Sequence, residues 1–174
     1  MRIALTGGIA CGKTALAKRL NELGIETLDA DDIVHELVPA AERRRLADEV
    51  FKNPQMRHEL EARIHPVVRE RLAAFAGGPG RIKVEIIPLL FECHWQSEYD
   101  IIICVSSPRS LQIERMIATR GYTEEQAEAR LAAQLPVEEK AASSDYVIVN
   151  DGSVENLMDE AGKLAEWLKG KCDG

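Results

Sequence analysis

Short, continuous apolar runs recur along the chain, separated by longer segments of mixed polarity. The runs are rich in Val, Ile and Leu and do not alternate with polar residues, which is typical of strands buried on both faces. Strands of this kind form parallel sheets that are covered by helices. Five runs are predicted as strands, at residues 2–7, 25–30, 81–91, 99–107 and 145–151.

The intervening segments repeat apolar residues at helical spacing. Thr123, with Gln126 three residues later, predicts a capping box at one helix start, and Pro66 is expected to interrupt another helix. Helices are predicted at residues 13–24, 53–80, 107–121, 123–135 and 153–170. Strands that alternate with helices predict a doubly wound α/β fold with a five-stranded parallel sheet. The helical stretch from about residue 33 to 76 is an excursion between the second and third strands.

Length and composition favour one compact domain. The chain has 174 residues, of which 45% are hydrophobic and 29% charged, as in ordinary globular proteins. The first residues form an apolar run too short for a signal peptide, and no run approaches the roughly 20 apolar residues of a membrane span. Four cysteines without a Cys-x-x-Cys pair fit a reducing compartment. We therefore predict a cytoplasmic protein that does not bind membranes.

The net charge of −7 argues against a nucleic-acid partner, which usually shows a basic surplus. The charge is uneven, because residues 42–71 hold eight Lys or Arg against six Asp or Glu. This segment is either a solvated helix face or a platform for an anionic small molecule, and composition does not decide between them. The few aromatic residues and the lack of an obvious exposed apolar stripe favour a monomer.

The strongest chemical signal follows the first predicted strand. Gly7 and Gly12 bracket four residues and precede Lys13 and Thr14, giving G-x-x-x-x-G-K-T between a strand and a helix. The glycines let backbone N–H groups turn toward an anion, and the helix N-terminus adds a positive dipole end. Lys13 would reach the outer phosphates of a nucleoside triphosphate, and the Thr14 hydroxyl would ligate Mg²⁺. Cys11 in this loop is either an oxidation-sensitive thiol or a small filler.

Acidic residues follow the second predicted strand. The segment 28–37 contains Asp29, Asp31 and Asp32 at the sheet edge where α/β proteins bind ligands. A carboxylate there can accept the proton of an attacking hydroxyl or hold Mg²⁺ through water, and one of the three is expected to cap a helix. Glu85 on the third predicted strand is a further candidate for holding Mg²⁺ through water.

Motifs along nearly the whole chain resemble the dephospho-CoA kinase family. In order they are LTGGIACGKT (5–14), LDADDIVHEL (28–37), RIHPVV (63–68), VEIIPLLFE (84–92), RLAAQLPVEEK (130–140) and SDYVIVNDG (144–152). The first motif is shared by many kinases, whereas the combination of D-A-D, H-P and I-P-L-L-F-E is much more specific. The resemblance implies that ATP phosphorylates the ribose 3′-hydroxyl of dephospho-CoA, the last step of coenzyme A synthesis.

The resemblance also implies roles for individual residues. Asp31 matches the position usually taken as the catalytic base, and Asp29 beside it would orient the acceptor or the metal. Asn150 lies where the adenine-side loop of the family falls. The implied charge-stabilising residues are Arg115, Arg120, Arg130 and Lys140, and Lys13 completes the catalytic set. The implied ATP-binding residues are Gly8, Ile9, Ala10, Cys11, Gly12, Lys13, Thr14, Ala15, Arg115 and Asn150, with Thr14 as the Mg²⁺ ligand.

The same resemblance divides this single kinase domain into three parts. They are a core (1–32, 81–107 and 136–174), a helical acceptor subdomain (33–80) and a helical lid (108–135). The family normally carries a longer stretch where Pro39 here runs almost directly into a helix predicted at 40–51. Either that helix is trimmed on its outer surface with the dephospho-CoA site intact, or the acceptor pocket itself is altered. Ala10 and Cys11 also stand where glycine and serine are usual.

Two other functions stay open. A P-loop kinase of similar build would phosphorylate another hydroxyl, such as that of a nucleoside or a sugar, with Asp31 still as the base. A non-catalytic nucleotide-binding regulatory protein would use the shortened acceptor subdomain to bind a CoA-like metabolite or a protein partner. The presence of both Lys13 and Asp31 favours an enzyme.

Overall fold

Five parallel strands form one sheet in the order β2-β3-β1-β4-β5. A computed structural model of the chain describes residues 1–38, 54–80 and 82–172. The strands are β1 (Ile3–Gly7), β2 (Glu26–Asp29), β3 (Lys83–Ile86), β4 (Ile101–Ser106) and β5 (Tyr146–Val149). All five predicted strands are therefore present, and the predicted parallel α/β class is confirmed.

Strand β3 is much shorter than the predicted run of residues 81–91. The strand ends at Ile86, and after Pro88 the chain continues as turns rather than as extended backbone. Pro88 has no N–H to donate to a neighbouring strand, which favours a strand end at this point. The side chains of Ile87 and Leu90 remain buried beyond the strand. The apolar run in the sequence therefore continued past the end of the strand.

Helices cover both faces of the sheet. Within the described residues they are α1 (Lys13–Glu22), α2 (Ala30–Leu37), α3 (Pro54–Gly77), α4 (Arg109–Arg120), α5 (Glu124–Ala132), α6 (Val137–Ala142) and α7 (Val154–Cys172), with a short 3₁₀ turn at Gln96–Glu98. The helix predicted at 40–51 lies outside the described residues. Helix α6 was not predicted as a separate element.

Two local expectations about helices have opposite outcomes. The capping box of α5 is confirmed, because Thr123 Oγ1 accepts from Gln126 N at 3.2 Å and Thr123 N donates to Gln126 Oε1 at 3.0 Å. The expected interruption at Pro66 is wrong, because α3 continues through it. Proline removes one helical hydrogen bond, but Val68 and Leu72 of the same helix are fully buried. Their packing supports the helix across the proline.

Alternate residues of the central strand feed two hydrophobic cores. Ile3 and Leu5 of β1 pack with α1 and α7, while Ala4 faces the core that α2 and α3 complete. This follows from the two-residue repeat of a strand, which points neighbouring side chains to opposite faces. The carboxyl ends of the strands meet at one edge of the sheet, where β1 leads into a glycine loop and β2 into the aspartates. None of the helices in the described residues has the length and apolarity that a membrane crossing requires.

The opposite edge of the sheet holds a closed network of charges. The Arg2 guanidinium contacts both carboxylate oxygens of Glu85, at 2.7 and 3.1 Å, and also Glu98 at 3.1 Å. Tyr99 donates its hydroxyl to Glu85 at 2.7 Å. Arg69 of α3 also pairs with Glu98, which connects the long helix to this edge. The network, called here the basal network, consists of Arg2, Arg69, Glu85, Glu98 and Tyr99.

Candidate functional site

The glycine loop between β1 and α1 has a strongly curved backbone. Gly7, Ala10 and Gly12 all have positive φ angles, of 143°, 57° and 99°. A Cβ atom on Gly7 would lie 2.2 Å from the carbonyl oxygen of Val105, so only glycine fits there. Ala10 adopts the left-handed conformation despite its side chain, at a cost that glycine would not incur. The loop therefore has the curvature of an anion cradle, with one residue under strain.

This loop forms one wall of a cleft of ≈570 Å³. The other walls come from the end of β2, the turn after β3, and the helix pair α4–α5. The residues that line the cleft are Ile9, Ala10, Cys11, Gly12, Lys13, Thr14, Ala15, Asp29, Asp31, Pro88, Arg115, Thr119, Arg120, Arg130 and Gln134. The structure thus brings together most of the predicted site residues, which lie up to 121 positions apart in the sequence. Pro88, Thr119 and Gln134 were not predicted. Pro88 and Gln134 lie in the motifs at 84–92 and 130–140, which could have indicated them, whereas Thr119 has no local signal.

The Lys13 side chain lies over the loop. Its Nζ donates to the carbonyl oxygens of Gly7 at 3.0 Å and Gly8 at 2.8 Å. Burial lowers the pKa of Lys13, and the nearby carboxylates of Asp31 and Asp29 oppose that shift. A half-buried ammonium held by neutral carbonyls has unused capacity to bind an anion. Lys13 is therefore suited to contact a phosphate.

Three side chains brace the loop from beneath. Gln112 donates to the carbonyl oxygen of Ile9 at 2.8 Å, and Arg115 donates to that of Ala10 at 3.3 Å. Asn150 donates to the carbonyl oxygen of Cys11 at 2.9 Å, and its own carboxamide oxygen accepts from Arg115 at 3.5 Å. These contacts hold the carbonyl oxygens of three successive loop residues and thereby fix the conformation of the loop. Sequence reasoning missed Gln112, a buried polar residue on a helix that shows no local motif.

Two of the predicted ATP-binding residues do not line the cleft. Asn150 is buried, and its side chain contacts the loop from behind. Gly8 belongs to the loop itself, and a Cβ there would be 2.2 Å from Gln112 Nε2. Cys11 is fully buried, and burial raises the pKa of its thiol, with Lys13 opposing the shift. These properties favour the small-filler interpretation of Cys11 over a reactive thiol.

The two aspartates at the end of β2 have different surroundings. Asp29 caps α2, and its Oδ1 accepts from Asp31 N at 2.9 Å. Burial raises the pKa of the Asp29 carboxyl, and that hydrogen bond opposes the shift. The Asp31 side chain is exposed and lines the cleft. Asp29 is thus the helix cap that the sequence analysis expected of one aspartate, and Asp31 is available to contact a substrate.

Arginines from the helix pair reach the cleft from the opposite side. Arg115 is half-buried and donates to Ser107 Oγ at 3.0 Å as well as to the loop. Arg120 and Arg130 are exposed and line the cleft. The guanidinium of Arg130 lies over the ring of Tyr122, 4.5 Å from its centroid. Two exposed cationic side chains therefore line the same cleft as the glycine loop, Asp29 and Asp31.

Two predicted residues are placed elsewhere. Lys140 lies on α6 and is fully buried, with its Nζ 2.7 Å from Glu92 Oε1 and 3.0 Å from the carbonyl oxygen of Pro88. It does not line the cleft, so the expectation that it directly stabilises charge there is not supported by its position. Glu85 belongs to the basal network at the other edge of the sheet, so its suggested contact with Mg²⁺ is wrong. A buried carboxylate paired with Arg2 has no access to the cleft.

The site fits a nucleotide phosphate and a hard divalent cation. Helix α1 begins at Gly12 without a side-chain cap, so its first N–H groups are available to an anion. The Thr14 hydroxyl is exposed in the cleft beside this helix start, with Asp29 and Asp31 across from it. Oxygen donors of this kind suit Mg²⁺ together with phosphate oxygens. No group of three or more His, Cys, Asp or Glu residues within the described part of the chain is placed to hold a metal by itself.

Fold and site together define a P-loop nucleotide-binding protein of the kinase type. A model of the family described as dephospho-CoA kinase matches residues 1–42 and 39–156. A dephospho-CoA kinase of Anaeromyxobacter dehalogenans is 36% identical over 194 aligned positions, covering 97% of this chain and 92% of the relative. The chain belongs to the dephospho-CoA kinase family.

Solved structures agree with this assignment. A crystal structure of a Thermus thermophilus protein superposes with a TM-score of 0.81 at 32% identity, covering 95% of this chain and 97% of that one. A dephospho-CoA kinase from Campylobacter jejuni gives a TM-score of 0.70 at 26% identity, covering 98% of each chain. The resemblance seen in the sequence motifs is therefore confirmed by family, relatives and fold.

Proposed function

We propose that this chain transfers the γ-phosphoryl group of ATP to the ribose 3′-hydroxyl of dephospho-CoA, giving CoA and ADP. One observation carries the proposal: the loop, Lys13 and Asp31 line a single cleft with Arg120 and Arg130. A phosphate donor held by the loop and an acceptor hydroxyl near Asp31 would therefore meet in one space. Family membership supplies the identity of the acceptor.

Phosphoryl transfer depends mainly on positioning and on charge stabilisation. The loop N–H groups and Lys13 hold the phosphates, and Arg120 and Arg130 face them from the helix pair. These cations neutralise charge on the equatorial oxygens of the phosphoryl group as it moves. Thr14 would hold Mg²⁺, which supplies charge neutralisation between the phosphates when it is bound.

Asp31 acts as the base in this proposal. It accepts the proton of the 3′-hydroxyl while the hydroxyl oxygen forms a bond to the γ-phosphorus, and the bond from that phosphorus to the bridging oxygen breaks. ADP leaves with the electron pair of that bond. Asp29 caps α2 through Asp31 N and thereby fixes the start of the helix that carries Asp31.

The remaining parts of the proposal concern organisation. We assign residues 33–80 to acceptor binding and residues 108–135 to a lid that closes over the phosphates. The family match divides at residues 39–42, and the alignment of 194 positions exceeds the 174 residues of this chain, which supports a shortened acceptor subdomain. We further propose that the enzyme is a cytoplasmic monomer and that its nucleotide is bound with Mg²⁺.

Asp31→Asn tests the proposal, with Asp32→Asn as its matched control on the same helix turn. Asp31→Asn should fold normally and bind ATP, yet lose most of its dephospho-CoA-dependent ADP release, because the base is removed. Asp32 is also exposed but does not line the cleft, so its variant should keep the parent rate. Near-parent turnover by Asp31→Asn would remove Asp31 from the mechanism.

The acceptor is tested in the same assay. Purified parent protein with ATP and Mg²⁺ is given dephospho-CoA, adenosine or a simple sugar, and both ADP and the phosphorylated product are measured. ADP and CoA formed only with dephospho-CoA support the proposal. Turnover with another hydroxyl would favour a different small-molecule kinase. ATP binding without turnover by any acceptor would favour a regulatory protein.

A further inference from the structure

Lys140 is a fully buried lysine that lies outside the cleft. Its Nζ is 2.7 Å from Glu92 Oε1 and 3.0 Å from the carbonyl oxygen of Pro88. The same Glu92 oxygen accepts from Leu135 N at 3.0 Å. The contacts of one ammonium group thus connect two distant segments of the chain. We call Lys140, Glu92, Pro88 and Leu135 the buried clamp.

Each end of the buried clamp belongs to a wall of the cleft. Pro88 lines the cleft at the turn after β3, beside the aspartates. Leu135 follows Gln134, which lines the cleft where the chain returns from α5 to α6. Arg130 lies on the last part of α5, within two helical turns of that return. The clamp therefore connects the cleft wall formed by the turn after β3 with the cleft wall formed by the connection from α5 to α6.

Energetics argue against a direct contact between Lys140 and a phosphate. A buried ammonium is tolerated only when its charge is paired and its donors are used. Lys140 meets that condition through Glu92 and Pro88, so moving it into the cleft would leave the largely buried Glu92 carboxylate without its cation. Glu92 Oε2 is already buried without a hydrogen-bond partner among the described residues. The pair is therefore strongly interdependent.

We propose that Lys140 is a positioning residue which, through Glu92 and Pro88, holds the two walls of the cleft in register for phosphoryl transfer. This inference rests on the proposed function. Lys140 fixes the positions of Arg130 and of the turn at Pro88 relative to the reacting groups. Lys140 itself does not contact those groups. Its loss should lower kcat more than it changes KM for ATP, because the phosphate loop is braced separately by Gln112 and Asn150.

A double-variant comparison separates positioning from direct charge stabilisation. Lys140→Met should lower kcat about tenfold or more, with KM for ATP changed less than about threefold, because it leaves Glu92 unpaired against the cleft wall. Adding Glu92→Gln removes that unpaired charge, keeps an oxygen for Leu135 N, and supplies an amide N–H to donate to the carbonyl oxygen of Pro88 in place of Lys140. The double variant should return to within about threefold of the parent kcat. Lys163→Met, which removes an exposed lysine paired with Glu160, is the control and should leave kcat unchanged.

The opposite results would overturn the inference. If the double variant is no faster than Lys140→Met, the charge of Lys140 itself acts on the reaction. Parent-like kcat in Lys140→Met would show that the clamp has no part in turnover. If Lys140→Met does not fold, the double variant alone decides: a kcat within about threefold of the parent supports positioning, and a loss of about tenfold or more contradicts it.

A measurement without any acceptor keeps this inference separate from the proposed function. Amide hydrogen exchange at Leu135 should rise in Lys140→Met, because Glu92 is no longer held in place to accept from that N–H. Unchanged protection of the Leu135 amide contradicts the clamp even in an inactive protein. Failure of the proposed function is seen instead in the parent, as absence of dephospho-CoA-dependent ADP release.

Discussion

The two edges of the sheet hold their cations in different ways. At the amino edge, the Arg2 guanidinium contacts carboxylates of Glu85 and Glu98, and these contacts raise the pKa of Arg2 further. At the carboxyl edge, Lys13 is held by two backbone carbonyls and forms no ion pair with a described residue. Each charged group of the basal network has an oppositely charged partner, whereas the Lys13 ammonium has no carboxylate at ion-pair distance among the described residues. Removing one partner of a buried ion pair destabilises the fold, and a cation with incomplete partners is available to a ligand.

Lys13→Met should give the largest loss of turnover and should show that the carboxyl edge of the sheet is the functional one. The variant removes the cation that contacts the phosphates, so kcat/KM should fall about 10²- to 10³-fold. Thermal stability should not fall, because the substitution replaces an ammonium whose pKa burial already lowers. ADP release and a melting curve measure the two effects. Lys18→Met, at an exposed position of the same helix, is the control. A large drop in melting temperature with retained turnover would reverse the assignment of the two edges.

Glu85→Ala, at the amino edge of the sheet, should lower stability and leave turnover unchanged. It leaves Arg2 and Tyr99 without their shared acceptor, which should lower the free energy of unfolding by about 3 kcal/mol. Turnover per folded molecule should stay at the parent value, because Glu85 is paired with Arg2 and does not line the cleft. Urea unfolding measures the loss, and Glu22→Ala, which breaks the exposed pair with Arg19, should cost less than about 1 kcal/mol. Lost turnover in fully folded Glu85→Ala would link the basal network to catalysis.

Asn150→Ala should lower both the free energy of unfolding and the affinity for ATP, each by a smaller amount, because its buried side chain also braces the phosphate loop. The carbonyl oxygen of Cys11 loses its buried donor, which should cost about 1–3 kcal/mol in the free energy of unfolding. The phosphate loop should also loosen, so ATP should bind several-fold more weakly in a calorimetric titration. Asn156→Ala, at an exposed position on α7, should change neither quantity. Unaltered ATP affinity in Asn150→Ala would mean that the loop keeps its shape without this brace.

Local sequence signals predicted the features that carry a pattern in neighbouring residues. The glycine motif, the apolar runs of the five strands and the capping box of Thr123 and Gln126 each show in residues that are close together in the chain, and each is present. The apolar run around Pro88 was assigned to a strand for its whole length, because a buried turn and a buried strand have the same composition. Periodicity cannot separate them.

Tertiary contacts account for what the sequence left undetermined in the site. A lysine in a motif near arginines suggested a charge donor, yet Lys140 meets Glu92, which lies 48 positions earlier. Gln112 supports the loop from 101 positions beyond Cys11, and no short-range pattern reports such a contact. The sequence could not fully distinguish the roles of Asp29 and Asp31, because an aspartate side chain can serve either as a helix cap or as a base. The orientation of Asp29 toward Asp31 N distinguishes them.

The strand order affects the sequence in which parts of a newly synthesised chain can fold. β1 leaves the ribosome first, yet its partners are β3 and β4, which begin at Lys83 and Ile101. The loop that follows β1 also needs the Asn150 side chain, 139 residues after Cys11. During synthesis at about 5–20 residues per second, the loop therefore waits roughly 7–30 s for its last brace. The glycine loop, which carries the nucleotide-binding motif near the start of the sequence, is therefore among the last segments to gain its structure in a newly made chain.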